Sequence, residues 1–256
     1  MARDPRPSRI RVRRLTPDPG ETTVERQLDS YRPWEEPREE RPFVATNFAV
    51  TVDGRATIGG VSGPIGSDAD TEMLARLRTR FDAVMIGAGT MRAERYGRIV
   101  ANQEQRERRE QLGLPHDPLM VIVSGRLDLP WDAPLFTADG GRVLVFTASE
   151  AEPPETATSL RVVRHEGQVN LTAALRHLRE ERGVRALLCE GGPRLHGQLW
   201  AAGLVDELFL TTAPKLTGDD APRIVEGLDA PLAGNLELAW LLEQEGELFA
   251  RYRRRL

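Results

Sequence analysis

The chain is poor in cysteine, lysine, aromatic residues and long apolar runs, and each shortage closes off a class of function. Cys189 is the only cysteine in 256 residues, which excludes an intrachain disulfide and any multi-cysteine zinc site. The four histidines, His116, His165, His177 and His196, show no i, i+4 pairing and no acidic partner at ligand spacing, so no metal site is expected. No window approaches the ~18 consecutive apolar residues of a membrane span. The basic start MARDPRPSRIRVRRL is not followed by the apolar segment of a secretory signal. Lysine occurs once, at Lys215, and every other basic residue is arginine. Their even spread suits coding bias better than phosphate recognition. A net charge of −4 does not favour nucleic acid. The expectation is a cytoplasmic protein with neither a nucleic-acid nor a membrane partner.

What is present is a hydrophobic fraction of 40%, enough for a core, arranged in an alternating pattern. Residues 1–40 are rich in Pro, Arg and Glu and read as an extension, partly ordered at best. RPWEEPREERP within it reads as an exposed linker, while IRVRRL could add an edge strand. Residues 41–256 read as one domain. FVATNFAVTVDG is a strand ending in an Asp53-Gly54 turn, and DADTEMLARLRTR sets Met73, Leu74 and Leu77 on one helical face. PLMVIVSG and GRVLVFTA are strands buried on both faces, and NLTAALRHLREERG is an amphipathic helix. ELFLTTAPKL and GELFARYRR read as neighbouring antiparallel strands. Strands alternating with helices give an α/β sandwich around a mainly parallel sheet.

Two strand-to-helix junctions carry glycine. In AVMIGAGTMRAE, Gly87 and Gly89 follow a strand and Thr90 can cap a helix. In LLCEGGPRLHGQLW, Glu190, Gly191, Gly192 and Pro193 separate strand from helix. Glycine admits a ligand close to the backbone, and free N–H groups at a helix start attract an anion. A tight structural turn explains either junction equally well. Glu190 would point into the crevice or cap the following helix. His196, in the first turns of the helix after the glycines, could touch a ligand there but reads rather as a surface histidine, Cys189 as a small core residue, and RERRE as a solvated helix face.

The order of NFAVTVDGRAT, SGPIGS, VMIGAGTMRAE, VIVSGRLDLP and EGGPRLHGQLWAAGLVDELFLTTAPKLTG resembles the reductase domain family of riboflavin biosynthesis, across residues 43–256. The resemblance implies a dihydrofolate-reductase-like three-layer α/β sandwich with a C-terminal antiparallel strand, NADPH as cofactor, and a homodimer. The implied reaction is hydride transfer to the ribosyl C1′ carbon of 5-amino-6-(5-phosphoribosylamino)uracil, or to another heterocycle such as dihydrofolate. A non-catalytic NADP(H)-binding protein is a third reading. By the same resemblance Ala49, Thr51, Gly87, Gly89, Thr90, Glu94, Ser124, Gly191, Gly192, Pro193, Arg194 and Leu195 would contact cofactor. Ser62, Arg78 and Glu190 would contact substrate, with Arg78 on its phosphate and Arg95 or Arg98 as a second cation. Asp53 is a candidate proton donor or only a turn former. The chain departs from the family at AERYGRIV, where many members carry Asp-Asp-Pro, and at Pro64, where a tryptophan is common. It lacks the deaminase signatures that often precede this domain, so a stand-alone reductase is expected.

Overall fold

Seven strands run parallel, those inside the sheet carrying near-continuous apolar runs covered by helices on both faces. They are β3 (Phe43–Thr51), β4 (Ala83–Gly87), β5 (Leu119–Val123), β6 (Arg142–Thr147), β7 (Ser159–Arg164), β8 (Ala186–Cys189) and β9 (Glu207–Ala213). In the computed structural model, which describes residues 10–36, 38–228 and 234–255, they form one side of an 11-stranded sheet. The other side is antiparallel: β1 (Arg11–Thr16), β2 (Gly20–Thr23), β10 (Leu236–Gln244) and β11 (Glu247–Arg254). The strand order is β2-β1-β10-β11-β9-β3-β8-β4-β5-β6-β7. The expected pairing of ELFLTTAPKL with GELFARYRR is the β9–β11 ladder.

Helices α1 (Val24–Leu28), α2 (Asp68–Arg78), α3 (Ala88–Glu94) and α5 (Pro134–Thr137) pack on one face of the sheet. Helices α6 (Leu171–Glu180) and α7 (Pro193–Ala201) pack on the other. Alternation along β4 sends Val84 and Ile86 to the first core and Ala83 and Met85 to the second. All four are fully buried, and each larger one contributes about 1.5–3 kcal/mol. Cys189 is a core residue as expected, with burial pushing its thiol up to about 12. No helix among the described residues is long and apolar enough to cross a membrane.

Two expectations fail here. The described residues from Ile10 on are built into the fold: IRVRRL supplies β1, which lies between β10 and β2 and not at the edge, and Val12, Val24, Leu28 and Tyr31 are buried. The Tyr31 hydroxyl donates to Glu207 at 2.9 Å, and Arg38 and Arg41 pair with Asp206, so part of the presumed linker is tied down. Its charged residues hid this, because their partners lie far away in sequence. The RERRE run is likewise not wholly solvated. It lies on α4 (Gln103–Gln111), where Arg109 is fully buried and donates to the carbonyls of Arg78, Phe81 and Pro115. Burial lowers its pKa to about 10.

Candidate active site

β4 and β8 end close together beside the middle of β3, because Thr46 and Met85 both pair with Cys189, and β3 runs on to Thr51 alongside β9. The two glycine junctions therefore meet. The Gly87 N–H donates to the Gly191 carbonyl at 2.9 Å, and a Cβ on Gly192 would lie 2.9 Å from the Thr90 hydroxyl oxygen. Gly191, at φ +117°, holds a backbone shape that suits glycine, and the Gly191–Gly192 peptide is cis. Gly89 faces open space, since a Cβ there would touch nothing within 4 Å.

Helix starts distinguish this edge. Thr23, Ser67, Asn102 and Asn170 cap α1, α2, α4 and α6 with their side chains. The helices that open on the glycine crevice, α3 and α7, start at Gly87 and Gly192 with no side-chain cap, as does the four-residue α5. Thr90 thus lies inside α3 and is not its cap, contrary to expectation. Pro193 takes the first position of α7, where a missing N–H costs nothing, and Leu195 is buried beneath it. Arg194 is exposed and lies along Gly227. The uncapped N–H groups leave a cradle for an anion such as a pyrophosphate.

Glu190 does not cap α7. Its side chain is 3% exposed, and its two oxygens accept from Arg78 Nε at 2.7 Å and Arg78 Nη2 at 2.6 Å. Tyr96 adds a hydroxyl donor at 3.2 Å, and its ring lies 5.6 Å from the Arg78 guanidinium carbon. Burial and Glu190 together raise the Tyr96 pKa well above its usual value. Burial opposes the charge on Arg78, but Glu190 outweighs it and raises its pKa. Arg78, the residue that the resemblance sets on the substrate phosphate, thus already has a carboxylate partner.

The remaining candidates divide. Ser62 and Glu94 come together, the Ser62 N–H and hydroxyl donating to one Glu94 oxygen at 2.8 and 2.9 Å. Ala49 lies half-buried on β3 opposite Thr211, and Thr51 ends the strand. Ser124 is buried just after β5. Arg98 is drawn away: it pairs with Asp117, which precedes β5 at the opposite end of the parallel strands. Arg95 pairs with Asp132. Asp53 accepts from the Thr51 hydroxyl at 2.6 Å and the Gly218 N–H at 3.1 Å. These bonds lower its pKa to about 2, so it fixes the turn and holds no proton at neutral pH. His196 is fully buried, not at the surface. Its Nδ1 meets the Ile224 carbonyl at 2.7 Å, Trp200 donates to its Nε2, and burial lowers its pKa to about 4.

A cavity of about 620 Å³ lies at the amino end of the parallel strands, lined by Asp82, Arg142, Arg161, Arg182 and Arg185. The cavity lies at the opposite end of the parallel strands from the glycine junctions.

The RibD C-terminal domain family matches residues 42–242. The chain belongs to that family. It is 33% identical over 194 residues to the 2,5-diamino-6-ribosylamino-4(3H)-pyrimidinone 5′-phosphate reductase of Archaeoglobus fulgidus, covering 73% of this chain and 87% of that one. It is 27% identical over 201 residues to the riboflavin biosynthesis protein RibD of Escherichia coli, covering 74% of this chain and 54% of that one. A pyrimidine reductase-like protein from Corynebacterium diphtheriae superposes with a TM-score of 0.78 at 27% identity, over 92% of this chain and all of that one. The family resemblance and the dihydrofolate-reductase-like fold are thereby shown; the archaeal relative is named a reductase and the Escherichia coli one a riboflavin biosynthesis protein.

Proposed function

We propose that the chain is an NADPH-dependent reductase that places hydride on the ribosyl C1′ carbon of a phosphorylated ribosylaminopyrimidine in riboflavin biosynthesis. The observation that most supports this is the pair of uncapped helix starts joined at Gly87 and Gly191 beside the buried carboxylate Glu190. The nicotinamide, when bound, supplies the hydride. The N–H groups of α3 and α7 would hold the pyrophosphate, with Gly89 leaving room for it. Ala49 and Thr51 would flank the nicotinamide, and Ser124 the adenosine. Arg126, exposed and without an ion-pair partner among the described residues, stands two residues beyond Ser124 and suits a 2′-phosphate. Glu190, saturated with donors on one side, can accept from an N–H or hydroxyl of the substrate. The substrate is the diaminopyrimidinone named for the archaeal relative or the aminouracil, which differ at ring C2.

Calorimetric titration should show NADPH bound more tightly than NADH, and Arg126→Ala should narrow the difference. Equal affinities in the wild type would contradict the reading. The protein is also proposed to be a homodimer, on the uncovered apolar face of β10 and β11.

A further inference from the structure

Residues 214–228, which follow β9, form neither helix nor strand, yet they are tied to both sides of the proposed cofactor site. On one side lies the turn that ends β3. There the Val52 N–H donates to the Lys215 carbonyl at 2.9 Å, and the Gly218 N–H donates to Asp53 at 3.1 Å. The Ala56 N–H donates to the Pro222 carbonyl at 2.8 Å, and the Arg55 guanidinium to the Ala221 carbonyl at 2.9 Å. On the other side the Glu226 N–H donates at 3.2 Å to the carbonyl of Pro193, the first residue of α7. Packing there is close, since a Cβ on Gly197 would come 2.8 Å from the Glu226 carbonyl oxygen. The segment thus joins the turn after Thr51 to the helix start at Gly192.

Between those attachments the segment is pinned by the fully buried His196. Trp200 Nε1 lies 2.6 Å from His196 Nε2, and an indole N–H can only donate. Nε2 therefore carries the lone pair and Nδ1 the proton, which is donated to the Ile224 carbonyl at 2.7 Å. The same ring stacks on Phe48 with centroids 4.3 Å apart. A Cβ on Gly191 would lie 3.6 Å from Phe48 Cε1, so the stack reaches the glycine junction. We propose that His196 is a positioning residue for the cofactor, holding residues 221–227 so that they fix the β3 turn against the start of α7. The inference rests on the reductase reading above. His196 acts through the segment and through Phe48: with both held in place beforehand, no ordering cost is left to set against NADPH binding.

Two amide variants separate positioning from stability. His196→Asn sets an amide N–H near the place of Nδ1, whereas His196→Gln sets its amide near Nε2. Each leaves one buried partner unpaired, so both should melt earlier than wild type. Only the glutamine variant frees Ile224. His196→Gln should raise the NADPH Kd by about 10-fold, the equivalent of one hydrogen bond, and His196→Asn by no more than about 2-fold. Amide hydrogen exchange at Ala56 and Glu226 should quicken in His196→Gln alone. Nitrogen-15 NMR of the histidine-labelled wild type should find Nδ1 protonated and Nε2 bare. Wild-type affinity in His196→Gln, equal losses of affinity in the two variants, or a proton on Nε2 would overturn the proposal. If the wild type binds no NADPH, the reductase reading fails, and the exchange rates and nitrogen spectra still decide whether His196 holds the segment.

Discussion

At Glu190, two bonds from Arg78 and one from Tyr96 occupy three of the roughly four lone-pair positions of a carboxylate, leaving one for a ligand. Removing the guanidinium would strand a carboxylate whose side chain is 3% exposed. Arg78→Ala is accordingly expected to cost about 3–5 kcal/mol of unfolding free energy, measured by urea denaturation. A loss no larger than that of an exposed ion pair would mean that water reaches the pair. Glu190 was legible because it stood between a buried strand and two glycines. Tyr96 was not, since a single aromatic in a charged, aperiodic loop carries no signal until the loop folds over Arg78. Asp53 misled for a related reason: Asp-Gly marks a turn and an acid alike, and only its donors tell them apart.

Among the elements, α3 and α7 start without side-chain caps, which suits the anion site proposed for them. Gly89 lies in the first turn of α3 and borders open space. Gly89→Ala should raise helix stability by up to about 1 kcal/mol while its methyl group intrudes on the pyrophosphate cradle. The expected result is a higher melting temperature with weaker NADPH binding, read by calorimetry. Unchanged affinity would place the pyrophosphate elsewhere. Long apolar strands such as β5 and β6 were plain in the sequence. The edge strand β7 and the strand β10 were not, because charged residues interrupt their apolar positions. The start of α3 was misplaced by three residues, since a threonine cap is a stronger textual signal than a glycine.

Across the whole molecule, the helices α6 and α7 cover one face of the sheet only as far as its parallel half. Beyond them Leu236, Leu238 and Leu248 are 37%, 40% and 37% exposed, an apolar face that a two-fold contact would cover in both copies at once. Light scattering should give about twice the 28.5 kDa chain mass, and Leu238→Glu with Leu248→Glu should return the chain mass. A wild-type monomer would contradict the dimer. The parallel core and its site edge were readable because strand, glycine and helix follow one another locally. The antiparallel half was readable only in part, since β1 and β2 join it from the far end of the chain. The central claim is hydride transfer at the glycine edge. The most direct measurement incubates the protein with NADPH deuterated at nicotinamide C4 and each ribosylaminopyrimidine phosphate, then locates the label in the product. The expected result is deuterium at C1′ of a ribityl product; NADPH left unoxidised with both pyrimidines, or label found at another position, would contradict it.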